Sequence, residues 1–391
     1  MHVCFVCSEY PPAPHGGIGS FIQTLGRELV ERGHRVTVMG LYPEEDSGTA
    51  NDRGVEVFRI SRRGAPLLRF ATNRKKFARK LREVHARCPI DIVEGAEIDL
   101  YIAASDLPGV KILRMHGGPS FFEARSRIQA AKESWSFRVA DQLCAVSHCV
   151  ADGTRKVLKL GKRHVEVIPN PIDLRLFTAD PQHLEEEDGL IVFSGTISER
   201  KGVRQLIEAM PRVVAAVPNA RLEVYGGEVI NPKPKSPLTP QLQAMLKDPV
   251  SQRVVWKGRV ARHLLPQAIR RASVCIYPSH IEAMPIAWLE GLASGKAVVA
   301  SETGPGPEII DDGLSGLLCN PRDPASIADA LIRTLKDKDL RRRLGENARR
   351  VAEERYDLPK IVDRNEAYYR AVLAGKVPAM DESAASGTPV P

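Results

Sequence analysis

The chain has 391 residues, 43% of them hydrophobic, which is enough for the cores of two or three domains and argues against disorder. Its formal net charge of +8 suits anionic partners such as phosphates, nucleic acid or a membrane surface. The seven scattered cysteines indicate a reducing compartment, and Cys4 and Cys7 are expected to be small buried hydrophobes rather than metal ligands. The N-terminus lacks a signal-peptide pattern and no apolar stretch reaches the roughly 20 residues that span a bilayer, so any membrane contact should be peripheral.

Strands and helices alternate along the first part of the chain. Short apolar runs predict strands at residues 3–6, 36–39, 55–60, 90–93, 110–115, 143–146 and 165–168. Amphipathic stretches with helical spacing lie between several of them, as in "SFIQTLGRELVERGH" and "FEARSRIQAAKESWSFRVA". This alternation predicts an α/β fold with a doubly wound, mainly parallel sheet.

The proline-rich and acidic segment 170–189 predicts a domain junction, because the alternation restarts after it. Strands are predicted at 190–195, 221–227, 253–258, 273–279, 296–301 and 315–320, and helices at 203–217, 264–272 and 284–295. A proline-rich surface loop is expected at 228–241.

These patterns predict two successive α/β domains, with ligands at the carboxyl ends of the strands and in the cleft between the domains. We expect the first domain at residues 1–175 and the second at 176–356. A C-terminal helix at 357–375 should pack back on the first domain. Residues 376–391 are polar and rich in small residues, and are expected to form a disordered tail.

Two glycine-containing loops stand where a strand becomes a helix. In "PHGGIGSF", Gly16, Gly17 and Gly19 follow the first strand, without the G-x-G-x-x-G spacing of dinucleotide-binding loops. In "SGTISERKGVRQ", Gly195 ends a strand, and Arg200 and Lys201 precede a helix expected to start near Gly202. Each loop suits either an anion at a helix start or an ordinary surface turn.

Two glutamates stand eight positions apart in "SHIEAMPIAWLEGLASG", which begins at Ser279. Pro285 suits a first helical turn, so a helix should start near Met284. Glu282 would then lie in the loop before the helix and Glu290 about a turn and a half inside it. The pair could bind sugar hydroxyls. Alternatively, one acid could cap the helix while the other is exposed to solvent. There is no His or Asp cluster to complete a metal site.

Taken together, these stretches resemble the retaining glycosyltransferases of family 4, the glycosyl transferases group 1. The resemblance rests on the E-x7-E spacing and on an ordered series over roughly residues 1–357: "SEYPPAPHGGIGSFIQTLGREL", "RMHGGP", "AVSHCVAD", "VIPNPIDLRLF", "SGTISERKGVRQLIEA" and "TGPGPEIIDDGLSGLL". It implies the GT-B fold, in which two Rossmann-like doubly wound domains face each other across a central cleft.

The resemblance also implies roles for matching residues. Glu290 would bind the ribose of a nucleotide-sugar donor, Glu282 and the amides beside it the transferred sugar, and Lys201 the diphosphate. His116 would face the reacting sugar. The implied catalytic residues are His116, Lys201 and Glu282. The implied donor-binding residues are Gly16, Gly17, Gly195, Thr196, Arg200, Lys201, Glu282, Ala283, Met284, Pro285 and Glu290, and Gly16 and Gly17 could touch the acceptor instead. Glu308 matches a loop near the nucleotide.

One position departs from the family pattern. An arginine often follows the glycine of the second loop, but Thr196 stands there in this chain. A departing diphosphate would then lack one cation. We expect Arg200, four residues further on, to supply part of the missing charge.

The implied activity is transfer of a sugar from a nucleotide-diphosphate sugar, such as a UDP- or GDP-sugar, to a hydroxyl of a sugar, lipid-linked or small-molecule acceptor. No cofactor, metal or nucleic acid is expected. The implied setting is polysaccharide, glycolipid or other glycoconjugate biosynthesis in the cytoplasm or on the inner face of a membrane. A sugar-nucleotide epimerase of the same fold and an inactive nucleotide-sugar-binding subunit are the alternatives.

The basic segment 69–87 has two interpretations. It holds eight Lys or Arg residues and one acid, with Phe70, Phe77, Leu81 and Val84 at helical spacing. It could be a surface helix whose apolar stripe lies in the core, or a helix that docks on anionic lipid.

Overall fold

The computed structural model describes residues 1–62, 69–103, 107–122, 126–178, 186–228 and 237–376, without the side chain of Arg69. Contacts divide the chain into two units. Unit 1 combines residues 1–169 with the chain from Ile361 onward, and unit 2 comprises residues 170–360. The predicted disordered tail beyond residue 376, most of the predicted proline-rich loop and part of the predicted junction lie outside the described residues.

Unit 1 is built on an eight-stranded sheet with the order β3-β4-β2-β1-β5-β6-β7-β8. The strands are β1 (His2–Val6), β2 (Arg35–Tyr42), β3 (Gly48–Asp52), β4 (Val55–Ser61), β5 (Ile92–Gly95), β6 (Val110–Met115), β7 (Gln142–Ala145) and β8 (Glu166–Val167). Only β3 pairs antiparallel. The seven predicted strands are confirmed, and β3 was missed because "GTAND" is exposed and contains no apolar run.

Four helices of unit 1 are α1 (Gly17–Glu31), α2 (Arg69–Arg87), α3 (Arg127–Val139) and α4 (His148–Leu158). The two helices predicted from "SFIQTLGRELVERGH" and "FEARSRIQAAKESWSFRVA" are α1 and α3. In α2, Phe77, Leu81 and Val84 are buried while Phe70 is 46% exposed. Most of the predicted apolar stripe of α2 therefore packs in the core of unit 1.

Unit 2 has a six-stranded sheet with the order β11-β10-β9-β12-β13-β14, parallel throughout. The strands are β9 (Leu190–Ser194), β10 (Arg221–Tyr225), β11 (Val254–Gly258), β12 (Val274–Tyr277), β13 (Ala297–Ser301) and β14 (Leu317–Cys319). All six were predicted from their apolar runs. Such runs are typical of strands buried on both faces of a parallel sheet.

The helices of unit 2 are α5 (Val203–Ala216), α6 (Leu238–Met245), α7 (Leu265–Arg271), α8 (Ile286–Ala293), α9 (Gly306–Ile309), α10 (Pro324–Lys336) and α11 (Lys338–Val351). The predicted start of α8 near Met284 is wrong by two residues. Pro285 is the N-cap of α8 and keeps an extended backbone, so the first helical residue is Ile286.

The last helix, α12 (Leu358–Leu373), contributes its residues from Ile361 onward to unit 1. A buried network ties it to β5 and β6. Arg114 Nε donates to Glu94 Oε1 at 2.7 Å and Nη2 donates to Asn365 Oδ1 at 2.6 Å. The Tyr369 hydroxyl donates to Glu94 Oε2 at 2.9 Å. The carboxylate of Glu94 therefore has a partner on β6 and another on α12.

Each sheet reverses its direction of winding at one point. In unit 1 the chain winds outward from β1 through β2 on one side and from β5 through β6 on the other. In unit 2 the corresponding pair is β9 and β12, with the strand order of a doubly wound Rossmann sheet. The predicted doubly wound α/β architecture is thus confirmed. In such sheets the carboxyl ends of the two strands at the switch point form the crevice that binds ligands.

Candidate functional site

The switch point of unit 2 brings together the two loops that the sequence analysis singled out. A 3-10 turn (Glu199–Lys201) follows β9, and the loop with Glu282 follows β12. The loops are joined because the Arg200 carbonyl accepts a hydrogen bond from the His280 amide at 2.8 Å. Gly202 has φ +67°, and a Cβ on it would lie 1.8 Å from the Pro278 carbonyl oxygen. Only glycine allows the loops to approach this closely.

Three charged side chains meet there. The Lys201 ammonium is hydrogen bonded to Glu282 Oε1, and Arg200 Nη1 lies 3.6 Å from Glu282 Oε2. The Glu282 side chain is 7% exposed, whereas those of Lys201 and Arg200 are 18% and 43% exposed. Two cations and one carboxylate leave the group with one net positive charge, on the side open to solvent. This cluster favours a ligand that carries both negative charge and hydroxyl groups.

The backbone after Glu282 is held in place by residues from other loops. Ala283 and Met284 are buried, and the Met284 carbonyl accepts from Asn170 Nδ2 at 2.8 Å. A Cβ on Gly304, which has φ +65°, would lie 3.3 Å from the amide nitrogen and the carbonyl oxygen of Glu282. Among the described residues no side chain caps the N-terminus of α8. The amides at this helix start are therefore not taken by a side-chain cap.

Glu290 lies in α8 and is 6% exposed. Burial raises the pKa of its carboxyl to about 7, against the opposing charge of Arg262. In the part of the chain that the structure describes, its carboxylate makes no hydrogen bond. A buried carboxyl without a partner is a costly arrangement, so Glu290 is suited to accept hydrogen bonds from a ligand.

The loop that starts at Gly195 is fixed by the neighbouring strand. The Gly195 amide donates to the Tyr225 carbonyl at 2.9 Å, and a Cβ on Gly226 would lie 1.8 Å from the Gly195 carbonyl oxygen. Thr196 is half-buried beside it. Glu308 is in α9, where its carbonyl accepts from the Tyr356 hydroxyl at 3.3 Å.

In unit 1 the glycine loop before α1 is hydrogen bonded to a carboxylate of the same chain. Glu9 Oε1 accepts from the amides of Gly16 and Gly19, at 3.2 and 2.8 Å. The N-terminus of α1 is therefore satisfied by a carboxylate of the same chain. Gly17 faces open space, because a Cβ on it would meet nothing within 4 Å. With Glu9 in place, the loop suits a hydroxyl group better than a second anion.

His116 lies directly after β6, also in unit 1. Its ring packs edge-on against Phe21 of α1, with the ring centroids 5.1 Å apart. Burial and the charge of Arg114 lower the pKa of His116 to about 3, so the imidazole is neutral at physiological pH. A neutral imidazole can accept one hydrogen bond and donate another but carries no charge to a substrate.

Sequence reasoning assigned no role to several buried polar residues near these loops. Asn170 lies in the quoted stretch "VIPNPIDLRLF", and its Oδ1 has no partner. Glu97 and Asp99 follow β5 at the switch point of unit 1, and burial raises the pKa values of their carboxyls to about 7 and about 6. The sequence could have indicated Glu97 and Asp99 by their position, because both follow an apolar strand in "DIVEGAEID".

Within the described residues no group of three or more His, Cys, Asp or Glu side chains is arranged to hold a metal ion, and no helix is long and apolar enough to cross a bilayer.

Two family models match adjoining parts of the chain. The model described as Glycosyl transferases group 1 matches residues 177–351, and Glycosyltransferase Family 4 matches residues 15–176. Glycogen synthase from Mycobacterium tuberculosis is 25% identical over 409 residues, covering 96% of this chain and 96% of that protein.

Solved structures share the fold along nearly the whole chain. Sucrose-phosphate synthase from Thermosynechococcus elongatus superposes with a TM-score of 0.78 at 21% identity, covering 96% of this chain and 100% of that one. HepE from Anabaena in complex with UDP-glucose superposes with a TM-score of 0.75 at 17% identity, covering 96% and 100%. These likenesses show the GT-B fold.

Proposed function

Because the chain belongs to the glycosyl transferases group 1, the family 4 glycosyltransferases of GT-B fold, we propose that unit 2 binds a nucleotide-diphosphate sugar and that the sugar passes to a hydroxyl acceptor held by unit 1. The observation that carries this proposal is the switch point of unit 2, where Lys201, Arg200 and Glu282 meet beside the buried Glu290. This arrangement matches the three chemical parts of such a donor.

Each part of the donor has a counterpart in this cluster. The diphosphate would be bound by Lys201 and Arg200, whose guanidinium suits two phosphate oxygens. Glu282 would accept hydrogen bonds from the hydroxyls of the sugar, and the amides of Ala283 and Met284 would donate to them. Pro285, which has no amide hydrogen, would only pack beside the sugar. Glu290 would take the ribose hydroxyls, which would supply the hydrogen-bond donors that its carboxylate lacks. Gly195 and Thr196 would lie alongside the phosphates.

The reaction proposed is a front-face substitution that retains the anomeric configuration. The bond between the anomeric carbon and the diphosphate oxygen breaks, and its electron pair goes to the departing diphosphate. The acceptor oxygen bonds to the anomeric carbon on the same face, and its proton passes to the departing phosphate. Lys201 and Arg200 stabilise the negative charge that develops there, so the proposal needs neither a metal ion nor a carboxylate nucleophile.

We assign to His116 the role of a neutral hydrogen-bonding group for the reacting sugar. Its low pKa, which follows from burial and from Arg114, leaves one ring nitrogen able to accept a hydrogen bond from a sugar hydroxyl. It would orient the sugar rather than supply a proton.

The experiment that tests this function is a thermal-shift screen of UDP- and GDP-sugars, followed by product analysis with and without acceptors. UDP-glucose is the first probe, because HepE from Anabaena was solved with it. A ligand at 100 times its Kd adds about 2.7 kcal/mol of stability. Conversion of the donor without an acceptor would indicate an epimerase, and binding without turnover over broad acceptor panels would indicate an inactive subunit. Unchanged turnover after EDTA treatment is expected for metal-independent transfer.

We also propose that α2 docks on an anionic surface such as the inner face of a membrane. The observation that favours it is a groove on this helix lined mainly by cations, including Lys75 and Arg79, the latter 78% exposed. Each basic residue near an anionic membrane contributes about 1 kcal/mol. Sedimentation with phosphatidylglycerol vesicles at low salt tests this. If equal amounts of protein sedimented with neutral and with phosphatidylglycerol vesicles, α2 would be an ordinary surface helix.

A further inference from the structure

The switch point of unit 1 opens into a cavity of about 740 Å³, which we call the unit 1 cavity. Its wall includes Ser8 and Glu9 after β1, Ile98 and Asp99 after β5, and Asn73 of α2. Every lining residue belongs to unit 1. The cavity thus occupies the same place in its sheet as the charged cluster does in unit 2.

A buried polar group in the wall lacks a partner. Asn73 is 5% exposed, and its Oδ1 has no hydrogen-bond partner. No described residue makes a hydrogen bond with its Nδ2 either. An unpaired buried amide is unfavourable, and a ligand hydroxyl would remove this cost because an amide both donates and accepts hydrogen bonds.

A second hydrogen-bonding group stands nearby in Asp99. One of its oxygens accepts from the Ser8 hydroxyl at 2.9 Å. Burial raises the pKa of this carboxyl to about 6, Glu9 adds to the rise, and Arg62 and Lys132 lower it. At neutral pH the carboxylate can therefore accept a hydrogen bond from a hydroxyl.

Two cations in the wall act on Asp99 only from a distance. Arg62 and Lys132 both line the cavity, and neither forms an ion pair with a described carboxylate. The Lys132 ammonium lies 5.0 Å from the ring centroid of Tyr101, which in turn stacks on Phe70 at 5.9 Å. The wall therefore offers positive charge, hydroxyl-binding groups and an aromatic face side by side.

We propose that the unit 1 cavity binds the acceptor, and that this acceptor carries an anionic group, a phosphate or a carboxylate, on a hydroxyl-bearing frame. Arg62 and Lys132 bind the anion, Asn73 and Asp99 bind hydroxyls, and Tyr101 and Phe70 pack against the carbon frame. The identification of the ligand as an acceptor rests on the proposed glycosyl transfer.

The same chemistry occurs in soluble sugar phosphates and in lipid headgroups. The soluble arm of the test measures the binding of matched pairs to the full chain by isothermal titration calorimetry: glucose and glucose 6-phosphate, glycerol and glycerol 3-phosphate, with inorganic phosphate alone. The lipid arm uses phosphatidylcholine vesicles with and without phosphatidylglycerol. Because α2 would add a vesicle preference of its own, the source is the arm in which the preference for the anionic partner falls when Arg62 and Lys132 are both replaced by Met.

Three variants separate the contributions. The double variant Arg62→Met with Lys132→Met should lower the preference for the anionic partner about tenfold or more. Asn73→Leu should weaken glucose 6-phosphate binding about fivefold while inorganic phosphate binding is unchanged, and an apolar side chain of similar size there should not unfold the chain. Lys156→Met, an exposed cation of α4 outside the cavity wall, is the matched control and should change neither.

The proposal is overturned if no anionic probe is preferred in either arm, or if every preference is as large in the double variant as in wild type. Calorimetry with a nucleotide sugar in the same samples keeps this test apart from the proposed function. Intact donor binding with no anion preference refutes the cavity assignment alone. Absent donor binding refutes the proposed transfer and leaves the anion selectivity of the cavity still measurable.

Discussion

Each unit contains a pair of glutamate and cation close to the carboxyl end of its sheet, and the two pairs are built differently. In unit 1, Glu94 and Arg114 are 3% and 1% exposed and share further hydrogen bonds with Asn365 and Tyr369. In unit 2, the Glu282 side chain is also buried, at 7% exposed. Its cationic partners Lys201 and Arg200 are 18% and 43% exposed.

This difference distinguishes charged residues that stabilise the fold from charged residues that can bind a ligand. The first pair is buried, and other side chains take further hydrogen bonds from it, although Arg114 Nη1 is left without a partner among the described residues. Such a pair holds the fold together and has little charge to offer a ligand. A pair with an exposed cationic side retains charge for a ligand. Changes to the first pair should therefore unfold the protein, whereas changes to the second should inactivate a folded protein.

The largest effect is expected for Arg114→Met. It leaves the Glu94 carboxylate buried without its cation, which typically costs 3–5 kcal/mol, so we expect about that loss in the free energy of unfolding by urea. Arg35→Met is the matched control, because Arg35 is 45% exposed and 3.4 Å from Glu56, and exposed pairs contribute about 0–1 kcal/mol. Equal losses for the two variants would contradict a structural role specific to the buried pair.

The next effect concerns turnover. Lys201→Ala should lower kcat about 100- to 1000-fold, as expected for loss of one group that stabilises the leaving group, with urea unfolding nearly unchanged. Lys296→Ala is the control, because Lys296 also pairs with a glutamate, Glu186 at 3.5 Å, but lies at the amino end of β13. If Lys201→Ala unfolded like Arg114→Met while the remaining folded fraction turned over normally, the contrast between the pairs would be lost.

A smaller effect is expected for Arg200→Ala, because this side chain is more exposed and lies 3.6 Å from Glu282. If Arg200 compensates for the arginine that Thr196 replaces, kcat should fall about ten- to a hundredfold while Thr196→Ala stays near wild type. Steady-state kinetics of the two variants tests this. Normal turnover by Arg200→Ala together with an inactive Lys201→Ala would mean that one cation suffices.

The smallest effect is a pH dependence of donor binding. Burial raises the pKa of Glu290 to about 7, so the carboxyl is protonated below that pH and ionised above it. Ribose hydroxyls donate best to the ionised form, so donor affinity should rise about tenfold from about pH 6 to about pH 8 and then level off. Both phosphates of a nucleotide sugar are diesters and do not titrate in this range. Calorimetry should show the rise in wild type and a flat profile in Glu290→Gln.

The sequence allowed most of the fold to be predicted, because buried parallel strands are short apolar runs that differ from the amphipathic helices between them. The antiparallel strand β3 was missed because its exposed polar residues pair through the backbone alone. The start of α8 was placed two residues early, because a proline suits both the N-cap and the first turn.

The candidate site was predictable in part. The loops with Lys201 and Glu282 could be chosen from motifs, but their contact depends on β9 and β12 being neighbours, which no local pattern reveals. Asn73 and Asp99 escaped notice because a local sequence pattern shows neither the burial of both side chains nor the lack of a partner for Asn73 Oδ1. The capping of α1 by Glu9 depends likewise on a turn that brings residue 9 back to Gly16 and Gly19.

The central claim is that the switch point of unit 2 binds a nucleotide sugar, and calorimetric titration of wild type and Glu290→Gln at about pH 8 tests it most directly. The variant keeps the size of the side chain and removes its charge. Hydrogen bonds to charged groups contribute about 1.5–3 kcal/mol, so donor affinity should fall about ten- to a hundredfold while stability toward urea is not reduced. Equal donor affinity of the two folded proteins would remove Glu290 from the site and contradict the account.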